Sequence, residues 1–505
     1  MSSTPTAIPP PEESDETGFG ARQRIGAALA AFVFAAVWLS PPLGSLSGSG
    51  TRVALLAVLM AVLWVSEAIP IAATSFLPLV LLPLLGVSPI RQAAAPYADP
   101  VIYLFMGGFL LALAMERWNL HRRLALAIIA TVGTRPRSLV LGFLLAATFI
   151  SMWTSNSATA MMLLPIGVSV YALLASGTGP PVNGREMGSA LVLAIAYGAN
   201  IGGMGTLIGT PPNAVLKAYM ERQHGVEIGF AQWMLLGVPL ILVSLPIVYL
   251  ILTRASFRVD NTPIPGVRED IAAARAKLGR MTGPEWTVAG AFLLAVILWV
   301  SREYWKAEAP REAGAPWPLG ALVTDEVIAM GAAVILFFIP AGRGRGFVLD
   351  WGAARKLPWD VLILFGGGLS LAAAMERTGL VLALAKALEG MASWPPLGIV
   401  FLVTLVMIFA TALTSNTATA TAFLPVIGAL AVAVNQPVIL LAVPVTLAAS
   451  ADFMLPVGTP PNAIAYGSGL VSLPRMVRAG FWVNLTFALL IPIIMWTLGR
   501  WVFRL

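Results

Sequence analysis

The chain carries one unusual run of residues twice. Thr154-Ser155-Asn156-Ser157-Ala158-Thr159-Ala160 returns as Thr414-Ser415-Asn416-Thr417-Ala418-Thr419-Ala420, and Gly209-Thr210-Pro211-Pro212-Asn213-Ala214 returns as Gly458-Thr459-Pro460-Pro461-Asn462-Ala463. Both runs interrupt strongly apolar sequence. Consecutive prolines remove amide donors and break a helix, and hydrocarbon offers no substitute partner for the freed backbone groups. Irregular backbone at membrane depth is tolerated only where it is buried in protein or lines a cavity. A repeated pair of broken, polar segments therefore predicts a site shared between two halves of one membrane protein.

Composition makes the membrane necessary. Hydrophobic residues are 58% of the chain and charged residues 11%, whereas soluble domains run near a quarter charged. The fold class expected is all-α and polytopic. Eleven spans are expected near 24–40, 53–69, 71–87, 101–120, 187–222, 229–253, 285–302, 320–340, 359–376, 437–470 and 480–502. Residues 1–21 are rich in Pro, Ser, Thr, Glu and Asp and are expected to be a disordered cytoplasmic tail. A first span and external loop occupy 22–52, a first repeat 53–253, a cytoplasmic linker 254–284 and a second repeat 285–505.

The repeat extends beyond the motifs. Asp99 to Leu120 matches Trp359 to Leu380 at an offset of 260 residues, the offset that also relates Asn156 to Asn416. The Thr-Pro-Pro runs are offset by 249 residues, the difference falling on a polar insert around Ser176 to Gly188. Arg122 and Arg123 follow the first copy, while the second continues with a single lysine as far as Ser393. That asymmetry puts equivalent segments on opposite sides, an inverted repeat of two five-span halves. Around Asn156 and Asn416 the flanking apolar runs are too short to cross singly, so re-entrant hairpins are expected at about 138–175 and 396–434. Broken helices are expected at about 187–222 and 437–470.

Loop charge sets direction, because Lys and Arg are retained on the cytoplasmic side. The clusters Arg22/Arg24, Arg117 to Arg137, Arg254 to Arg280 and Arg343 to Lys356 all fall inside if the N-terminus is cytoplasmic and the C-terminus outside. The net charge of +7 reflects these loops, and no nucleic-acid partner is implied. The compartment expected is a bacterial inner (plasma) membrane.

Broken helices supply carbonyl oxygens that, with Ser, Thr and Asn side chains, suit a hard cation such as sodium. Their amide ends suit an anion. A bare dianion in a low-dielectric site would cost on the order of tens of kcal/mol, which co-bound cations offset. Inward movement of one net positive charge gains about 2.3 kcal/mol per 100 mV. The chain has no cysteine and only two histidines, His121 and His224, which excludes thiol catalysis and histidine metal clusters. No phosphate-cradling Gly-rich motif is present, so ATP-driven pumping is unsupported. An enzyme would need paired acids or a nucleophile with a base, and a channel a continuous polar path; the motif regions supply neither. Asp452 stands six residues before Gly458, at a depth where a charge costs about 2.5–3.5 kcal/mol. It is a candidate to support the second cation site or to take a proton, with a hydrogen-bonded structural acid as the alternative. Glu116-Arg117 and Glu376-Arg377 are expected at span ends as interfacial ion pairs, and Glu67 at a helix end.

These four motifs, in matched order over nearly the whole chain after the tail, resemble those of the divalent anion/sodium symporters. The resemblance implies homodimers in the lipid bilayer, in which a transport domain moves like an elevator against a scaffold. It implies one sodium site at Ser151, Ser155, Asn156 and the Gly209 carbonyl, and a second at Thr411, Thr414, Asn416 and the Gly458 carbonyl. Substrate carboxylates would meet Asn156, Ser157, Asn416 and Thr417, with Thr210, Pro211, Thr459 and Pro460 opposite. Sodium would be the coupling ion, with no other cofactor. The function implied is sodium-coupled uptake of C4-dicarboxylates such as succinate, malate or fumarate. Ser157 departs from the threonine of the family motif, a lost methyl that widens the pocket, and relatives include sodium-independent dicarboxylate exchangers and sulfate or tricarboxylate symporters.

Overall fold

The computed structural model describes residues 20–43, 46–176, 184–262, 266–306, 322–342 and 344–505. The tail expected at 1–21 lies outside these residues up to position 19, as do most of the polar insert after Ser176 and the external loop before Leu322. Among the described residues the secondary structure is helical, and the one extended pairing is an isolated bridge between Pro340 and Phe347.

Among the described residues, eight helices are long and apolar enough to cross a bilayer: Ala21–Leu39, Gly48–Ser66, Ile90–Arg117, Phe230–Ala255, Gly283–Trp305, Trp359–Arg377, Asn416–Ala433 and Leu473–Val502. All but Asn416–Ala433 coincide with expected spans. The remaining expected spans take other forms. The segment at 71–87 divides into Ile71–Thr74 and Leu77–Leu84, and the one at 320–340 is helical over Asp325–Ile335. The last two are interrupted, as Gly184–Gly203 with Pro211–His224 and as Val438–Ala449 with Pro460–Gly467.

The duplication is visible in local geometry. Helix Pro100–Arg117 and its counterpart Trp359–Arg377 each end before a residue with positive φ, Asn119 at 56° and Gly379 at 74°. Asn and Gly are the residues that tolerate this left-handed position. The chain then turns into Leu120–Val132 or Leu380–Leu388 before each hairpin begins, at Pro136 and Pro396. In the second copy this turn is a bend of 115° between Leu380–Met391 and Pro396–Thr411.

The repeats are not separate domains. One large core runs from Val101 to Met495 and takes buried residues from both copies. A second, smaller cluster joins Leu56, Trp64 and Leu82 to Leu364, Leu371 and Met375. Buried apolar residues of both halves thus form one continuous core.

Three of the basic segments are joined by hydrogen bonds and ion pairs. Arg123 binds Glu285 at 3.1 Å and donates to the carbonyls of Leu278 and Gly279, while Arg137 donates to the Val259 carbonyl at 2.9 Å. Arg117 pairs with Asp350 at 2.6 Å. The Ala353 amide and the Arg117 guanidinium hold the Asp350 carboxyl below the usual carboxylate range.

Across the bundle, buried charges tie the first broken helix to its neighbours. Lys217, 2% exposed, pairs with Glu221 and with Glu326 at 3.7 Å and donates to the Ile228 carbonyl at 3.2 Å. Nearby, Arg302 pairs with Glu227 at 3.0 Å and with Asp325 at 3.5 Å. Removing one member of a buried charge set leaves the others uncompensated. Lys217→Met is therefore expected to destabilise the folded protein by about 3–5 kcal/mol, read as a lower unfolding midpoint of the purified protein in detergent.

Candidate functional site

The two hairpin tips repeat the same hydroxyl–amide pair. Ser151 Oγ donates to Asn156 Oδ1 at 2.6 Å, and Thr411 Oγ1 donates to Asn416 Oδ1 at 2.7 Å. Behind each tip a second hydroxyl pair closes the turn, Thr154 with Thr159 at 2.8 Å and Thr414 with Thr419 at 2.5 Å. Each tip thus presents a hydroxyl and an amide oxygen side by side at the first residue of a helix, Asn156–Ser176 or Asn416–Ala433.

The two breaks repeat each other as well. After the first break Asn213 Nδ2 donates to the carbonyls of Gly203 and Thr206, at 3.1 and 2.8 Å. After the second, Asn462 Nδ2 donates to the carbonyls of Asp452 and Leu455, at 3.2 and 3.1 Å. Both pairs of acceptors stand at the 249-residue offset. The asparagine of Thr-Pro-Pro-Asn is therefore the group that satisfies carbonyls released by the break, so the motif carries its own repair. Pro211 and Pro460 are each the first residue of the resumed helix, where a missing amide hydrogen is harmless.

All four motifs line one cavity of about 560 Å³. Ser155, Asn156 and Ser157 come from the first tip and Ser415, Asn416 and Thr417 from the second. Gly209, Thr210 and Pro211 face Gly458, Thr459 and Pro460 from the breaks. Four helices start on this wall, at Asn156, Pro211, Asn416 and Pro460. Each brings roughly half a positive charge at its N-terminus, so the cavity favours anions without an arginine. The wall's formal charges are Glu67, Glu116, Asp360 and Lys356. A larger groove of about 990 Å³ along Phe230–Leu250 and the C-terminus contains none of the motifs.

Ser151 and Thr411 lie behind the cavity, fully buried, each bonded to the asparagine that reaches it. The Thr414 hydroxyl donates to the Ala410 carbonyl at 3.0 Å and bonds Thr419; Ser415 is the tip residue that lines the cavity beside Asn416. Ser415 was legible in sequence, since the 260-residue offset pairs it with Ser155. Asn200 was not, because its counterpart in the other repeat is Ala449. It is 1% exposed and its Nδ2 crosses between repeats to the Asp452 carbonyl at 3.2 Å and Thr459 Oγ1 at 3.0 Å. Glu67 caps its helix at φ 51° and pairs with Arg22 at 3.7 Å, as a span-end residue should. Glu116 does more than its position suggested, facing the cavity while Arg117 pairs away from it.

The donors available are all oxygens, and several buried ones have no partner, among them Asn200 Oδ1, Asn213 Oδ1 and Asp452 Oδ2. Such a set fits a hard cation.

A helical membrane fold in which two polar hairpin tips face two broken helices is that of a secondary transporter. The chain belongs to the sodium:sulfate symporter family, whose transmembrane region matches residues 22–505. It is 42% identical over 491 residues to the sodium-dependent dicarboxylate transporter SdcS of Staphylococcus saprophyticus, covering 96% of this chain and 93% of that one. The Staphylococcus aureus protein of the same name is 41% identical over 484 residues, covering 95% and 91%. Two solved structures share the fold at 13% identity. MtrF of Neisseria gonorrhoeae, from a class of antimetabolite efflux pumps, gives a TM-score of 0.58 over 93% of this chain and 98% of its own. The YdaH transporter of Alcanivorax borkumensis gives 0.57 over 90% and 99%.

The first tip needs room beneath it. A methyl on Gly203 would lie 2.7 Å from Asn156 Oδ1 and 3.1 Å from Thr210 Cβ. Gly203→Ala is expected to push Asn156 off the break and weaken substrate binding at least tenfold, about 1.4 kcal/mol, measured by titration of the purified protein.

Proposed function

We propose that this protein is a sodium-coupled importer of C4-dicarboxylates in the plasma (inner) membrane. The observation that carries the reading is the twofold arrangement at one cavity, where a hydroxyl–amide oxygen pair stands behind each tip and four helix N-termini face the space between. The oxygens suit sodium and the N-termini suit carboxylates. The names of the staphylococcal relatives, at 41–42% identity, support both the ion and the substrate class.

The charge balance supports coupling. Three carboxylates and one ammonium line the cavity, a formal charge of −2, and a dicarboxylate adds two more negative charges. Helix dipoles offset part of this, at about half a charge each. Cations bound at the two tips would offset the rest, so the dianion and sodium each favour the other's binding. The first cation site would use Ser151, Ser155, Asn156 and the Gly209 carbonyl. The second would use Thr411, Asn416, the Gly458 carbonyl and the backbone or side chain of Thr414. Asn156, Ser157, Asn416 and Thr417 would hold the carboxylates, against Thr210, Pro211, Thr459 and Pro460. In this reading the N-terminus is cytoplasmic and the C-terminus external, the protein is a homodimer, and the cavity moves with a transport body past a scaffold.

The test is uptake of radiolabelled succinate into proteoliposomes, with and without an inward sodium gradient, repeated with unlabelled dicarboxylate inside. Uptake that needs sodium and no internal substrate is expected; uptake that needs only internal dicarboxylate would make the protein an exchanger. Asn156→Ala and Asn416→Ala are each expected to lower sodium-driven uptake at least tenfold, measured as initial rates at equal reconstituted protein.

A further inference from the structure

The two breaks hold their asparagines on equivalent carbonyls but differ in the side chains around them. Gly203 and Asp452 are counterparts at the 249-residue offset, so a carboxylate stands in the second break where the first has no side chain. Asp452 is fully buried. Its Oδ1 accepts from the Met454 amide at 3.2 Å, and its backbone carbonyl is taken by Asn200 and Asn462. Its Oδ2 has no hydrogen-bond partner, and among the described residues no ion pair includes Asp452. A carboxylate in such a place stays charged only beside a compensating charge.

The free oxygen points at the second break. A methyl on Gly458 would lie 1.5 Å from Asp452 Oδ2 and 3.2 Å from the Ala412 carbonyl, so both oxygens converge on Gly458 beneath the second tip. In the first repeat the corresponding carbonyl, that of Met152, accepts from the Thr206 hydroxyl at 2.5 Å. The counterpart of Thr206 is Leu455, which has no hydroxyl to give. The second repeat has therefore lost a donor and gained an anionic acceptor at the same spot. Next to Ala412 in the chain, Thr411 Oγ1 stands 2.7 Å from Asn416 Oδ1 and 2.9 Å from the Ala449 carbonyl, and Ser450 Oγ is buried without a partner.

We propose that Asp452 is a cation ligand at the second break, giving that site a fixed negative charge that the first site lacks. This deepens the sodium-coupled reading and rests on it. The two sites then differ in kind. The first is built from neutral oxygens, and the second holds its sodium by charge as well. The second fills at lower sodium concentration, before substrate arrives, and so orders the tip that the dicarboxylate later touches.

The test is a sodium titration of the purified full chain in detergent, without dicarboxylate, following the thermal unfolding midpoint at constant ionic strength set with choline chloride. Wild-type protein is expected to show a saturable rise in midpoint with sodium. In Asp452→Asn the half-saturating sodium concentration is expected to rise at least tenfold, with an unfolding midpoint in choline alone no lower than wild type. Asp452→Ser removes the charge with less volume and carries the test if the asparagine variant does not fold. Variants that titrate sodium as wild type does would overturn the proposal and leave Asp452 a structural acid. Failure of both variants to fold at saturating sodium would do the same. A wild-type protein that binds succinate but shows no response to sodium would sink the sodium-coupled reading itself, and the proposal with it.

Discussion

A carbonyl released inside a membrane has to find a donor, and two asparagine side chains answer most of that need here. Asn213 and Asn462 each bond two carbonyls freed by the preceding break. Without them a buried acceptor would cost about 1–3 kcal/mol apiece, and interruptions so close to the cavity would not hold their shape. With them the helix can stop, turn and resume within a few residues. The site exists because the break is stable.

Once the breaks are held, the rest of the site follows from what helix ends offer. Each resumed helix and the second limb of each hairpin start at the cavity, so amide donors face the space and no arginine is needed to meet an anion. The hydroxyl–amide pairs of Ser151 with Asn156 and Thr411 with Asn416 lie one layer behind. Anion donors and cation acceptors are thus interleaved in one small volume, which links the two kinds of ligand electrostatically. Fixed charges farther out, such as Lys217 with Glu326, fasten the first broken helix to the surrounding bundle.

The duplicated sequence explains why so much of this architecture could be read early. Fixed offsets of 260 and 249 residues identified the tips and breaks, and the structure brings all four motifs to one cavity. Long apolar helices emerged where apolar runs were long. Departures from the expected spans arise where a run contains prolines or closely spaced turns, as at Ile71–Thr74 and Leu77–Leu84. Hydropathy registers how apolar a run is and is blind to whether it is one helix or two.

The sequence by itself determined the membrane setting, the duplication and the residue types at the tips and breaks, because each depends on composition or on local backbone chemistry. Tertiary structure alone decided which oxygens meet. Asn200 reaches across to Thr459 and the Asp452 carbonyl, Glu116 turns toward the cavity while Arg117 turns to Asp350, and the Thr414 hydroxyl closes its own turn. None of these partners is near in sequence except Thr419. Contacts between segments separated by tens to hundreds of residues are set by how helices pack, and a pattern read along one chain carries no record of that.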